Sequence, residues 1–137
     1  MRRIRSSNTK PEVLLRKALH ARGLRFRLHG RQLPGKPDVV LPRHRVTIFV
    51  HGCFWHRHQG CKVATTPKSN TQFWVEKFDR NVARDSRVRS ELEAAGWRVF
   101  VSWECEVDTP AKAAATAERL DKLVRSREEP QDPARNS

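Results

Sequence analysis

No stretch of this 137-residue chain stays apolar for the roughly 18 residues that a membrane-spanning helix needs. A helical membrane protein is therefore excluded. The basic start, Met1-Arg-Arg-Ile-Arg5, is not followed by the apolar segment of a secretory signal, so a soluble, cytoplasmic protein is expected. Acidic residues are scarce: 15 Asp and Glu stand against 28 Lys and Arg, a formal net charge of +13. That field favours a polyanionic partner, with nucleic acid the first candidate. Cysteine is reduced to three, which cannot all pair. In a reducing compartment, grouped cysteines are more readily metal ligands than disulfides. Tyrosine is absent and the apolar set is only 37%, lean for a globular chain, but four Trp and six Phe can supply much of the buried area. The length admits one domain and rules out two of full size. There is no internal repeat.

What remains is well punctuated. Thr9-Lys-Pro-Glu12 fits a capping box, with Thr9 as N-cap and Glu12 reaching back, and Leu14, Leu15, Ala18 and Leu19 continue at helical spacing to Gly23. A helix is predicted over about 10–22. Leu24 to Leu28 alternates apolar and basic residues, the pattern of a strand with one buried face. After the turn residues 33–37, Asp38–Leu41 and Val46–Val50 predict a hairpin about the Pro42–Arg45 turn. The span 51–67 has no usable period. A second helix is expected over about 70–95, with Trp74, Phe78, Val82, Asp85, Val88 and Leu92 on one stripe. Trp97–Trp103 reads as a strand and 110–124 as a helix. The order αβββαβα predicts an α/β fold in a single domain over 1–125, with a polar, disordered tail over 126–137.

The chemistry concentrates in the unpatterned span. Cys53, His58 and Cys61 share one short loop, and Cys105 lies about forty residues on. Thiolates with an imidazole suit a closed tetrahedral zinc site, while the plainer alternative is small buried core residues. Asp38 opens an otherwise apolar strand, where a carboxylate needs either a hard cation such as Mg2+ or exposure and turn amides. Asp85 shares the inward stripe of the second helix. It pairs there with an Arg, or orients a His. His51 and His56 are candidates for that partner and for proton transfer, with ligand or surface roles as the alternative. Phe54, Trp55 and Trp74 are either core or DNA-inserting aromatics. Glu12 is accounted for by its cap.

Taken together, Arg5-Ser-Ser-Asn-Thr-Lys-Pro-Glu12, Leu33-Pro-Gly-Lys-Pro-Asp38, Val50-His-Gly-Cys-Phe-Trp-His56, Asn81-Val-Ala-Arg-Asp85, Gly96-Trp-Arg-Val and Trp103-Glu-Cys105 resemble the very-short-patch-repair (Vsr) mismatch endonucleases. The resemblance runs over about 3–107 in unbroken order. It implies a restriction-endonuclease-like mixed sheet flanked by helices, with a structural zinc. It also implies an enzyme that nicks one strand beside the T of a T:G mismatch, the lesion left by deaminated 5-methylcytosine. On the same basis Asp38 is the Mg2+ carboxylate, with the Val50 carbonyl assisting. His56 activates water with Asp85 behind it, and His51 stabilises the phosphate. Cys53, His58, Cys61 and Cys105 match the zinc ligands, Phe54, Trp55 and Trp74 match the aromatics that wedge into the duplex, and Glu12 matches a carboxylate near the metal. Mismatched duplex DNA as substrate, a monomeric enzyme, mismatch-repair proteins as partners and action at the nucleoid in the bacterial cytoplasm follow in the same way. One departure is notable. The general restriction pattern expects an acid and a Lys on the strand after Asp38, but Phe49-Val-His51 stands there, so catalysis leans on histidine.

Overall fold

The computed structural model describes residues 9–30, 32–62 and 64–126. The Arg5–Asn8 end of the first motif and the tail beyond Ser126 lie outside them. The expected order is the order found: α1 (Lys10–Ala21), β1 (Arg27–Leu28), β2 (Val39–Leu41), β3 (Val46–His51), α2 (Thr71–Ala94), β4 (Arg98–Trp103) and α3 (Pro110–Ser126). The strands form one mixed sheet in the order β1-β2-β3-β4, antiparallel up to β3 and parallel between β3 and β4. Parallel pairing needs a crossover, and α2 provides it.

Two apolar clusters make this a layered structure. Leu15 and Leu19 of α1 and Ala113, Ala117, Leu120 and Val124 of α3 pack on one face of the sheet with Val46, Ile48 and Phe100. On the other face Phe49, Leu92 and Val99 form a smaller cluster, joined by Leu33, Val88, Trp97 and Val101. The period of two along β3 and β4 divides each strand between the layers. It also sends His51 and Trp103, register partners at the ends of β3 and β4, to the α2 side. Polar contacts reinforce the apolar clusters. Arg98 donates to the Leu123 and Val124 carbonyls at the end of α3, and Asp121 accepts from Arg22 at 2.8 Å and from Arg125. Burial opposes the Asp121 charge, but the two guanidinium bonds outweigh it and hold the carboxyl below its usual range.

Four expectations need correction. The strand over 24–28 shrinks to Arg27–Leu28. Its partner β2 has only three residues before Pro42 ends the ladder, so Leu24 is buried in the core while Leu28 is 43% exposed. Val82, placed on the buried stripe of α2, is 45% exposed, because α2 buries only Phe78 and Leu92. His51 closes β3 instead of opening the loop. At the other end of the chain, α3 runs through Ser126, one residue past the expected domain boundary. Among the described residues no helix is long and apolar enough to cross a membrane.

Candidate active site and metal centre

Asp38 sits at the mouth of β2, on the turn that the sequence marks with Pro and Gly. Gly35 makes that turn at φ +71, and a Cβ there would meet Val88 Cγ1 of α2 at 2.4 Å. Only glycine allows the turn to lie this close to the helix. Asp38 Oδ2 accepts the Val50 N–H at 2.7 Å, which binds it across the sheet to β3. Glu12 is buried on α1, where its Oε2 accepts from the Thr9 hydroxyl at 2.9 Å and the Thr9 N–H at 3.3 Å. The capping expectation holds, but Glu12 also shares a side-chain hydrogen bond with Asp38. Burial first, and then the Glu12 carboxyl, push Asp38 up to about 7, against the lowering effect of the Val50 N–H. Two carboxyls from different elements at one half-buried spot form a donor set suited to a hard divalent cation.

Beside them, His56 Nδ1 lies 2.6 Å from Asp85 Oδ2, joining the loop to α2 across 29 residues. Since a carboxylate only accepts, Nδ1 carries the proton, and in the neutral imidazole Nε2 carries the lone pair. His56 is near enough to Asp38 for its charge to favour the Asp38 carboxylate. The His51 ring stacks on His56 at 4.0 Å. Burial, and then the neighbouring His56 charge, push His51 down to about 3, so it is neutral at physiological pH. It can donate a hydrogen bond to a phosphate but brings no charge.

The zinc candidates also converge. Cys53, His58, Cys61 and Cys105 place one ligand atom each within 4.8 Å of one another, and none of the three cysteines is in a disulfide. Burial and the adjoining sulfurs push Cys105 up to about 12, and burial raises Cys53 as well. Thiols crowded in this way ionise together only around a cation, and three thiolates with one imidazole are a tetrahedral zinc donor set. The Trp103 ring joins the two centres, stacking on His58 at 4.3 Å and meeting His51 edge-on at 5.4 Å.

Phe54, Trp55 and Trp74 are half-buried and pack on one another and on the buried Phe78. The sequence reading missed several residues around them. Arg57, at φ +58, donates to the Phe54, Ala64 and Thr65 carbonyls and lies 3.9 Å over the Phe78 ring. Asn81 donates to the Trp55 carbonyl at 3.2 Å. Phe73 is 53% exposed against Trp74. His29, beside Glu12, was also unforeseen. The Asn81-Val-Ala-Arg-Asp85 motif was the only local signal for any of these. A separate cavity of about 370 Å3 lies at the opposite end of the hairpin, lined by Gly23, Leu24, Arg25, Arg43, His44 and Arg125, and shares no residue with the site.

Known proteins share much of this sequence. Residues 1–62 match the family model described as DNA mismatch endonuclease Vsr. The Escherichia coli protein of that name is 42% identical over 126 residues, covering 90% of this chain and 80% of the relative. The chain belongs to the Vsr family. Other relatives of this Vsr chain are the type II nicking enzymes V.XorIIP of Xanthomonas oryzae pv. oryzae and V.NmeAIP of Neisseria meningitidis. The first is 51% identical over 107 residues, 78% of each chain. The second is 46% identical over 125 residues, 91% of this chain and 86% of the relative.

Proposed function

We propose that this Vsr-family chain is a Mg2+-dependent DNA endonuclease that nicks one strand beside the T of a T:G mismatch, and so starts very-short-patch repair of deaminated 5-methylcytosine. The observation that carries the reading is the His56–Asp85 pair at 2.6 Å beside the Asp38–Glu12 carboxyls. Asp38 and Glu12 would hold the cation, with the Val50 carbonyl as the neighbouring backbone oxygen. Bound there, Mg2+ would offset the negative charge that builds on the scissile phosphate. His56 Nε2 takes a proton from the attacking water as the water oxygen bonds to phosphorus and the opposite P–O bond breaks, the leaving oxygen taking a proton from solvent. Asp85 holds the imidazole in the tautomer that leaves Nε2 open and stabilises the imidazolium that forms. Neutral His51, held against His56 by the stack, donates to a phosphate oxygen.

The remaining roles follow the same logic. Zn2+ in the Cys53, His58, Cys61 and Cys105 set fastens the loop carrying His56 to the end of β4, a structural role. Phe54, Trp55 and Trp74 form the wedge that enters the duplex at the weak pair. The helix-flanked mixed sheet is read as a restriction-endonuclease-like nuclease domain. It acts as a monomer on DNA at the nucleoid in the cytoplasm, with mismatch-repair proteins as partners.

Nicking of an end-labelled duplex in Mg2+ tests the assignment. Asp38→Ala should abolish nicking with DNA binding largely kept, and His56→Ala should slow it about 10²- to 10⁴-fold, the usual contribution of a general base. Wild-type rates in either variant would refute the corresponding role.

A further inference from the structure

His29 follows β1 with its backbone in the left-handed region, φ +52. A residue other than glycine there is strained, and such strain persists only where the surroundings impose it. Its N–H donates to the Asp38 carbonyl at 3.0 Å, fixing His29 to the residue that opens the site. The side chain turns toward α1. Its Nε2 is shielded from solvent with no hydrogen-bond partner, and it lies 3.8 Å from Glu12 Oε1. The other Glu12 oxygen, Oε2, faces Thr9. A buried ring nitrogen without a partner is costly and calls for an explanation. Here it is aimed at the carboxyl that bonds to Asp38.

We infer that His29 is a positioning residue of the cation site: its Nε2–H donates to Glu12 Oε1 and fixes that carboxylate toward the ion shared with Asp38. The inference rests on the reading of Asp38 and Glu12 as the Mg2+ site. A small side-chain rotation would bring the 3.8 Å separation to hydrogen-bond length, and the neutral imidazole suffices because the role needs a donor and no charge. Partners of this kind, one shell out from a metal, are commonly worth about 10- to 100-fold in metal affinity.

Calorimetric titration of Mg2+ into zinc-loaded protein without DNA measures this apart from catalysis. His29→Gly removes the donor and relieves the φ +52 backbone, so it should melt no lower than wild type in Mg2+-free buffer yet bind Mg2+ about 10- to 100-fold more weakly. His29→Gln and His29→Leu have the same backbone strain and differ in the donor, so Gln should bind Mg2+ at least tenfold more tightly than Leu. Equal affinities for Gln and Leu, or wild-type affinity in His29→Gly, would overturn the inference. Asp38→Ala separates the two levels. If it binds Mg2+ like wild type, the cation reading falls and the role of His29 with it. If it loses Mg2+ while the His29 variants do not, only the role of His29 falls.

Discussion

At Asp38 the chain keeps a carboxyl where burial and Glu12 both oppose its charge. The folded protein therefore holds that proton more tightly than the unfolded chain does: the group ionises near 7 when folded and near 3.8 otherwise. Linkage then makes the Asp38 contribution to stability fall as pH rises between those values, with the full cost present above 7. Asp38→Asn keeps an acceptor for the Val50 N–H and removes the charge. It should abolish nicking while stabilising the cation-free protein, on the order of 1–3 kcal/mol at alkaline pH. The melting-temperature gap between variant and wild type should widen from pH 6 to pH 8.5 in Mg2+-free buffer. A gap that stays constant or narrows would mean that the Asp38 charge is not opposed in the fold. Adding Mg2+ should raise the wild-type melting temperature and leave the variant unmoved.

Among the elements, α2 does the most to assemble the site. Its C-terminal half packs on the sheet through Val88 and Leu92, its middle offers Asp85 to His56, and its first turns bring Trp74 and Phe78 to Phe54 and Trp55. If the half-buried tryptophans enter DNA, Trp55→Ala and Trp74→Ala should each weaken binding to mismatched duplex more than to matched duplex. The scale is roughly 1–3 kcal/mol per stacked base, and disrupting a mispaired base costs least. Competitive binding of the two duplexes measures the ratio, and an equal loss on both would assign these rings to the core. Much of this element structure was legible in the sequence, since the capping box, the hairpin turn and the helical stripe are local signals that the packed structure retains. The Cys and His set was legible because its ligand chemistry is distinctive. The shortness of β1 was not, because it depends on where β2 stops. The exposure of Val82 was not, because it depends on how little of α2 touches the sheet. His29 and Arg57 were hidden for a related reason: each acts through a left-handed backbone turn and partners that meet only in the folded chain.

At the scale of the whole molecule, one small domain carries two metal-suited centres joined by Trp103. The Cys53, His58, Cys61 and Cys105 set connects the His56 loop to the residues after β4, so loss of a metal held there should be felt in both stability and chemistry. Purified protein should hold one Zn2+ per chain, and Cys105→Ala should lose the metal and melt at a lower temperature. Well-folded protein free of zinc by elemental analysis would contradict that role. The formal charge of +13 supplies general attraction to phosphates, but it offers no means of telling one base pair from another. On the proposed reading, discrimination comes from Phe54, Trp55 and Trp74 acting as a wedge and from the geometry of the His56–Asp85 site. The most direct measurement uses two strand-labelled duplexes identical except for one T:G or C:G pair, incubated with the protein in Mg2+. The expected result is a single nick in the T strand of the mismatched duplex and an intact matched duplex. Cleavage of both duplexes at similar rates, or of both strands of either one, would contradict it.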